Sequence, residues 1–231
     1  MKELSRSVFC LAIILMLSNC AISQLKPNII FILADDMGYG EIEPFGQKLI
    51  KTPNLTRMSR EGMVFTDHYA GTSVCAPSRC VLLTGLHTGH AEVRGNLQNE
   101  NVGGQFPISD QTVTVAELLK TAGYTTALIG KWGLGNVGTT GDPTKQGFDF
   151  FYGYTDQVLA HNHFPEYLIR NTKKEFLRNK VEYLDSSGWH KGLGSITKEK
   201  VDFADELFTK EALKFITENR QRNFFLYLPY I

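Results

Sequence analysis

Cys75 and Cys80 stand five residues apart in "TSVCAPSRCVLLTG" (residues 72–85), with Pro77, Ser78 and Arg79 between them. Two chemistries fit that spacing. The thiols close a small disulfide loop, or one of them is kept for its own reactivity. Asp35 and Asp36 pose a similar choice at the end of the apolar run "NIIFILA". Adjacent carboxylates cap a following turn or helix, or they serve as hard oxygen ligands for calcium or magnesium. Two carboxylates alone do not complete such a shell. Lys131 ends another apolar run, "TTALIGK". His161 and His163, in "AHNHFPEY", are either pocket-lining groups or hydrogen-bonded loop histidines. Arg94 faces an anion or is a solvated loop arginine. His68, His87, His90 and His190 read as structural.

Positioning these residues is the task of the elements between them. Asn28 to Leu33 reads as a buried strand of a parallel sheet and stops at Asp35-Asp36. "TPNLTRMSREG" predicts a helix with Thr52 at the N-cap, Pro53 in the first turn and Gly62 as terminator. "MVFTDHYA" alternates like a strand, and a helix is predicted from Cys75 to Gly85. Thr114 and Glu117 form a capping box ahead of "LLKTAG", which Gly123 closes. "YTTALIGK" is the next strand, residues 139–150 a Gly-rich loop, and residues 166–184 a hairpin turning at "RNTKK". An amphipathic helix with Leu207, Phe208, Ala212, Phe215 and Ile216 on one face leads into the strand "NFFLYLPYI". Strands alternating with helices predict an α/β fold with a mostly parallel central sheet flanked by helices. Ligands gather beyond the carboxyl ends of such strands, where Asp35, Asp36 and Lys131 fall. The last strand is expected to lack a following helix or neighbour, so the domain reads as incomplete at its C-terminus.

The 231 residues carry 24 Lys and Arg against 24 Asp and Glu, interspersed along the chain. That balance excludes the clustered basic face of a nucleic-acid binder. Residues 1–23 read as a signal peptide, with Lys2 and Arg6 ahead of the apolar "VFCLAIILML". Cleavage after Ser23 would leave Gln24 first. "LSNC" also has the form of a lipobox, which would anchor the chain by lipid at Cys20. The apolar run is short for a membrane span. Either route leads to an exported compartment (secreted, periplasmic or lysosomal), with Cys75 and Cys80 as the mature chain's cysteines.

Cys75-Ala76-Pro77-Ser78-Arg79, continuing to Thr84-Gly85, resembles the hallmark of the type I sulfatases of the alkaline-phosphatase superfamily. "PNIIFILADDMGYG", "TPNLTRMSREGMVFTDHYA", "LTGLHTGH", "VAELLKTAGYTTALIGKW" and "GFDFFYGY" resemble further family segments in family order. The resemblance implies that residues 24–231 are the N-terminal portion of a sulfatase catalytic domain. It implies that a formylglycine-generating enzyme oxidises Cys75 during export, reading Pro77 and Arg79 in the unfolded chain. The hydrated aldehyde then offers one hydroxyl to attack sulfur and a second to expel sulfate. Asp35, Asp36 and modified Cys75 would surround a divalent cation, calcium or else magnesium. Arg79 would support that network and Lys131 would bind the sulfate group of a sulfated small molecule or glycan. His161 and His163 would line the substrate pocket. The resemblance departs at Gly133, where many members carry a histidine that touches the sulfate or the diol. That donor is missing or comes from elsewhere. Further metal and substrate ligands of the family lie beyond Ile231. The alternatives are a phosphate or phosphonate ester hydrolase of the same superfamily, or a non-catalytic product that binds sulfated glycans.

Overall fold

A computed structural model describes residues 26–97, 105–182 and 196–231. The expected signal segment, Cys20 and His190 lie outside the described residues. The strands, in chain order, are β1 (Ile29–Leu33), β2 (Thr125–Lys131), β3 (Phe150–Tyr154), β4 (Tyr167–Arg170), β5 (Lys173–Phe176), β6 (Lys180–Glu182), β7 (Ile196–Glu199) and β8 (Phe224–Pro229). The helices are α1 (Pro53–Glu61), α2 (Cys75–Thr84), α3 (Val115–Thr121) and α4 (Ala204–Asn219). Six strands form one sheet in the order β1-β8-β2-β3-β4-β5, and β6 pairs with β7 apart from it. The first four strands of that order are parallel, and β3-β4-β5 is an antiparallel extension.

Alternation along the strands separates two apolar layers, because successive side chains leave a strand on opposite faces. Leu128, Phe151, Phe225 and Tyr227 meet Ala76, Cys80 and Leu83 of α2 and Ala116 of α3. Ala127, Ile129, Tyr152, Leu226 and Leu228 meet Phe208, Ala212 and Phe215 of α4. Helices thus cover both faces, as the α/β pattern predicts. Every residue of β8 is buried, and all of β2 after Thr125. This is why both read as continuous apolar runs.

Four expectations are corrected. The last strand does not lack a neighbour: β8 is inserted between β1 and β2. β1, expected to be a buried strand, is instead one of the sheet's two edge strands, and its Ile30, Phe31 and Ile32 are exposed. Residues 63–70 form no strand, and Met63, Phe65 and Tyr69 are exposed. Alternation gives side chains two directions, but a strand also needs a partner for its backbone groups. Thr52 precedes α1 as expected, yet its hydroxyl does not cap the helix. It accepts the Glu43 N–H at 2.9 Å, and the Glu43 carboxylate accepts the Thr52 N–H at 2.7 Å.

The capping box of α3 forms as predicted. Thr114 Oγ1 accepts the Glu117 N–H at 3.3 Å, and the Glu117 carboxylate accepts the Thr114 N–H at 2.7 Å. The buried Thr114 hydroxyl also donates to the Gln146 carbonyl at 2.9 Å. Thr114→Ala removes the cap and strands that carbonyl, so a loss of about 1–2 kcal/mol is expected in urea unfolding. Thr114→Ser, which keeps the hydroxyl, recovers most of it. Equal midpoints for Ala and Ser variants would refute a role for the hydroxyl.

Candidate active site

The parallel strands β1, β8, β2 and β3 send their carboxyl ends to one edge, and the charged residues converge there. Asp35 follows β1 by two residues and receives cations on both oxygens. Arg79 Nη2 donates to Oδ1 at 3.0 Å, and Lys131 Nζ to Oδ2 at 2.6 Å. Arg79 comes from the second turn of α2 and is 1% exposed; Lys131, from the end of β2, is 0% exposed. Arg79 Nη1 reaches on to the Lys131 carbonyl oxygen at 2.7 Å and the Tyr227 hydroxyl at 3.4 Å. Burial opposes a charge on Asp35, but Arg79 and Lys131 together outweigh it and hold the carboxyl below its ordinary value. Two buried cations therefore face one partly buried carboxylate, since Asp36 is exposed. Buried charge calls for pairing, so this excess of positive charge suits an anionic ligand.

Cys75 opens α2, with its Sγ 3.9 Å from Asp35 Oδ2. Both cysteines are free thiols. Five residues along a helix place them about 140° apart around its axis, so they face different ways. Cys80 is buried in the apolar layer, and burial pushes its thiol pKa up. The disulfide reading is set aside. Asn96 Oδ1 accepts the Ala76 N–H at 2.9 Å, tying the first turn of α2 to the loop beyond it.

Asp36 has φ 53, a left-handed conformation that Asp tolerates better than most residues. One ligand atom each from Asp35, Asp36 and Cys75 lies within 4.8 Å of the others. The two hard carboxylates facing one spot fit part of a calcium shell of roughly six to eight oxygens, whereas the Cys75 sulfur is a soft donor that such a shell does not use. A carboxylate has about four lone-pair positions, so Asp35 can accept from its two cations and still offer one. A cavity of about 350 Å³ opens above these residues, lined by Asp35, Asp36, Ser73, Cys75, Ser78 and Arg79 among others.

His161 and His163 are not part of that cavity. They line a second one of about 560 Å³ with Asn162, Phe164, Thr197, Lys200 and Phe203. The His163 ring stacks on Phe203 at 5.8 Å, and its Nδ1 lies 3.6 Å from an Asp205 carboxylate at the start of α4. Arg94 donates to the carbonyls of Ala91 and Gly89 in its own loop. At Gly133 the backbone has φ 81, and a Cβ there would lie 1.9 Å from Gln157 Nε2. The place of a side chain at 133 is filled by Gln157. Tyr227, Asn96 and Gln157 escaped the sequence reading. Only Tyr227 carried a signal, its place near the carboxyl end of an apolar strand.

The protein-family description "Sulfatase" matches residues 27–231. N-acetylgalactosamine-6-sulfatase of Mus musculus is 35% identical over 220 residues, covering 87% of this chain and 38% of that protein. Arylsulfatase G of Rattus norvegicus is 44% identical over 128 residues, covering 55% of this chain and 24% of that protein. The chain thus spans between 24% and 38% of the length of these curated relatives. A solved structure described under the metabolism of multiple glycosaminoglycans by Bacteroides thetaiotaomicron superposes with a TM-score of 0.69. It is 25% identical and covers 88% of this chain and 50% of that one. Among the described residues no helix is long and apolar enough to cross a membrane.

Proposed function

The chain belongs to the sulfatase family, and from that premise we propose that it hydrolyses sulfate esters with Cys75, converted to formylglycine, as the nucleophile. The observation that carries this reading is the pair of buried cations, Arg79 and Lys131, set around Asp35, whose Oδ2 lies 3.9 Å from the Cys75 sulfur. A sulfate ester brings the anionic oxygens such a site requires. Asp35, Asp36 and the residue at 75 would hold a divalent cation, calcium with magnesium as the alternative. When bound, the cation supplies positive charge to the sulfate oxygens and to the attacking hydroxyl.

The protein's own residues have separable tasks. Arg79 fixes the Asp35 carboxylate by one nitrogen and the end of β2 by the other. Lys131 is a compact charge suited to a sulfate oxygen. The hydrate of formylglycine supplies one hydroxyl for displacement at sulfur and a second for release. Pro77 and Arg79 are buried in the folded chain. A formylglycine-generating enzyme that reads them must therefore act before folding, which fits modification during export.

The substrate is proposed to be a carbohydrate sulfate. The name of one relative, N-acetylgalactosamine-6-sulfatase, supports this. His161 and His163, in the second cavity, would bind a part of the saccharide away from the sulfate. Mass spectrometry of the peptide spanning Cys75, from protein made in its own host, is the test. The expected product is a sulfur-free aldehyde that reacts with hydrazides; an intact thiol overturns the proposal. Assays on matched aryl sulfate and aryl phosphate esters should favour the sulfate.

A further inference from the structure

Gln157 lies between β3 and the short turn of helix at Leu159–His161. It is 2% exposed, and neither its Nε2 nor its Oε1 has a hydrogen-bond partner. A side-chain amide carries two donors and an acceptor, and buried amides are almost always satisfied. Its turn does not depend on that amide. Asp156 Oδ1 accepts the N–H groups of Val158 at 2.6 Å and Leu159 at 3.2 Å, which fixes the backbone around Gln157. The amide is thus held in place with its bonding capacity unspent.

Its surroundings say what for. The amide packs on the backbone of Gly133, where an added Cβ would lie 1.9 Å from Nε2 and 2.6 Å from Cδ. Gly133 is two residues beyond Lys131. Lys131 itself pairs in register with Tyr154, and the Trp132 N–H donates to the Tyr154 carbonyl at 2.9 Å. Gln157 therefore begins three residues after the strand position beside Lys131, at the same carboxyl edge. Lys131 and Arg79 offer charge there, and Ser73 and Ser78 line the cavity beside Asp35, so an uncharged donor from Gln157 would add to theirs from the Lys131 side. We propose that Gln157 is a sulfate-binding residue of this site, its Nε2 donating to a sulfate oxygen beside Lys131. The side chain missing at Gly133 makes its seat. The inference rests on the sulfatase reading and adds a specific contact to it.

Inorganic sulfate is the probe, titrated into the full chain by calorimetry, with the Gln157 side-chain amide pair followed by nuclear magnetic resonance. Sulfate should bind and shift that pair. Gln157→Met keeps the volume, removes the donors and leaves the fold intact, because an unsatisfied buried amide is exchanged for an apolar group. It should weaken sulfate roughly tenfold or more, as expected for a hydrogen bond to a charged group. Gln157→Glu, which sets a carboxylate against the anion, should weaken it further. If wild type binds sulfate but the amide pair stays still and Gln157→Met binds equally well, this proposal fails and the sulfatase reading stands. If wild type binds no sulfate, both fail.

Discussion

Arg79→Leu is expected to lower the stability of the fold by about 3 kcal/mol or more, the usual cost of removing one partner from a buried ion pair. The guanidinium is 1% exposed and joins the end of β1, the end of β2 and the carboxyl half of β8 through three acceptors. Leucine fills the volume but leaves the Lys131 carbonyl and the Tyr227 hydroxyl without that donor, and leaves Asp35 with Lys131 alone. Urea unfolding should show a lower midpoint with an unchanged slope. Arg79→Lys should recover little, since one ammonium cannot reach both Asp35 and the Lys131 carbonyl as a planar fork does. The pH dependence separates charge from packing. Burial works against the Asp35 charge, but Arg79 and Lys131 prevail and depress its pKa below the ordinary carboxylate value. A depressed carboxyl stabilises the fold above its unfolded pKa, and that contribution is lost as pH falls through the folded one. Wild type should therefore lose stability more steeply than Arg79→Leu below about pH 4. Parallel acid profiles would mean that the guanidinium acts by packing alone.

That network also shows what a sequence can and cannot carry. Asp35, Cys75, Arg79 and Lys131 are each recognisable from the motif that holds them. Their common place follows from strand ends meeting at one edge of a parallel sheet. The bonds from Arg79 to the Lys131 carbonyl and to Tyr227 span 52 and 148 residues, and no local pattern encodes them. The same limit hid the place of β8. Its apolar run and preceding helix are plain in the sequence, but insertion between β1 and β2 is decided by which layers the two faces must bury. Thr52 looked like a cap because its type and position suit one. The nearby Glu43 offers its backbone N–H instead, and such competition depends on a chain reversal nine residues away. His161 and His163 line a cavity, but one separate from that of Cys75. Gln157 had no signal, because a glutamine in a turn ordinarily faces water.

Cys75→Ser is expected to abolish turnover, by on the order of a thousandfold or more in kcat, while leaving a single round of chemistry. Serine places a hydroxyl at the first residue of α2, beside Asp35 and near the Arg79 and Lys131 charges. Its oxygen can form a bond to sulfur as the bond from sulfur to the ester oxygen breaks, with the serine proton passing to the departing alcohol. The protein is then a serine sulfate. It has no second hydroxyl on the same carbon whose proton loss would break the bond to sulfate, so release must await slow external hydrolysis. An aryl sulfate should accordingly give a burst of about one phenol per chain, with intact mass showing one added sulfuryl group. Cys75→Ala has no oxygen or sulfur to accept the group and should give neither burst nor adduct. Steady turnover by the serine variant would mean that release needs no geminal hydroxyl. Turnover by the alanine variant would mean that residue 75 does not attack sulfur, and the cations around Asp35 would then have to serve a different nucleophile.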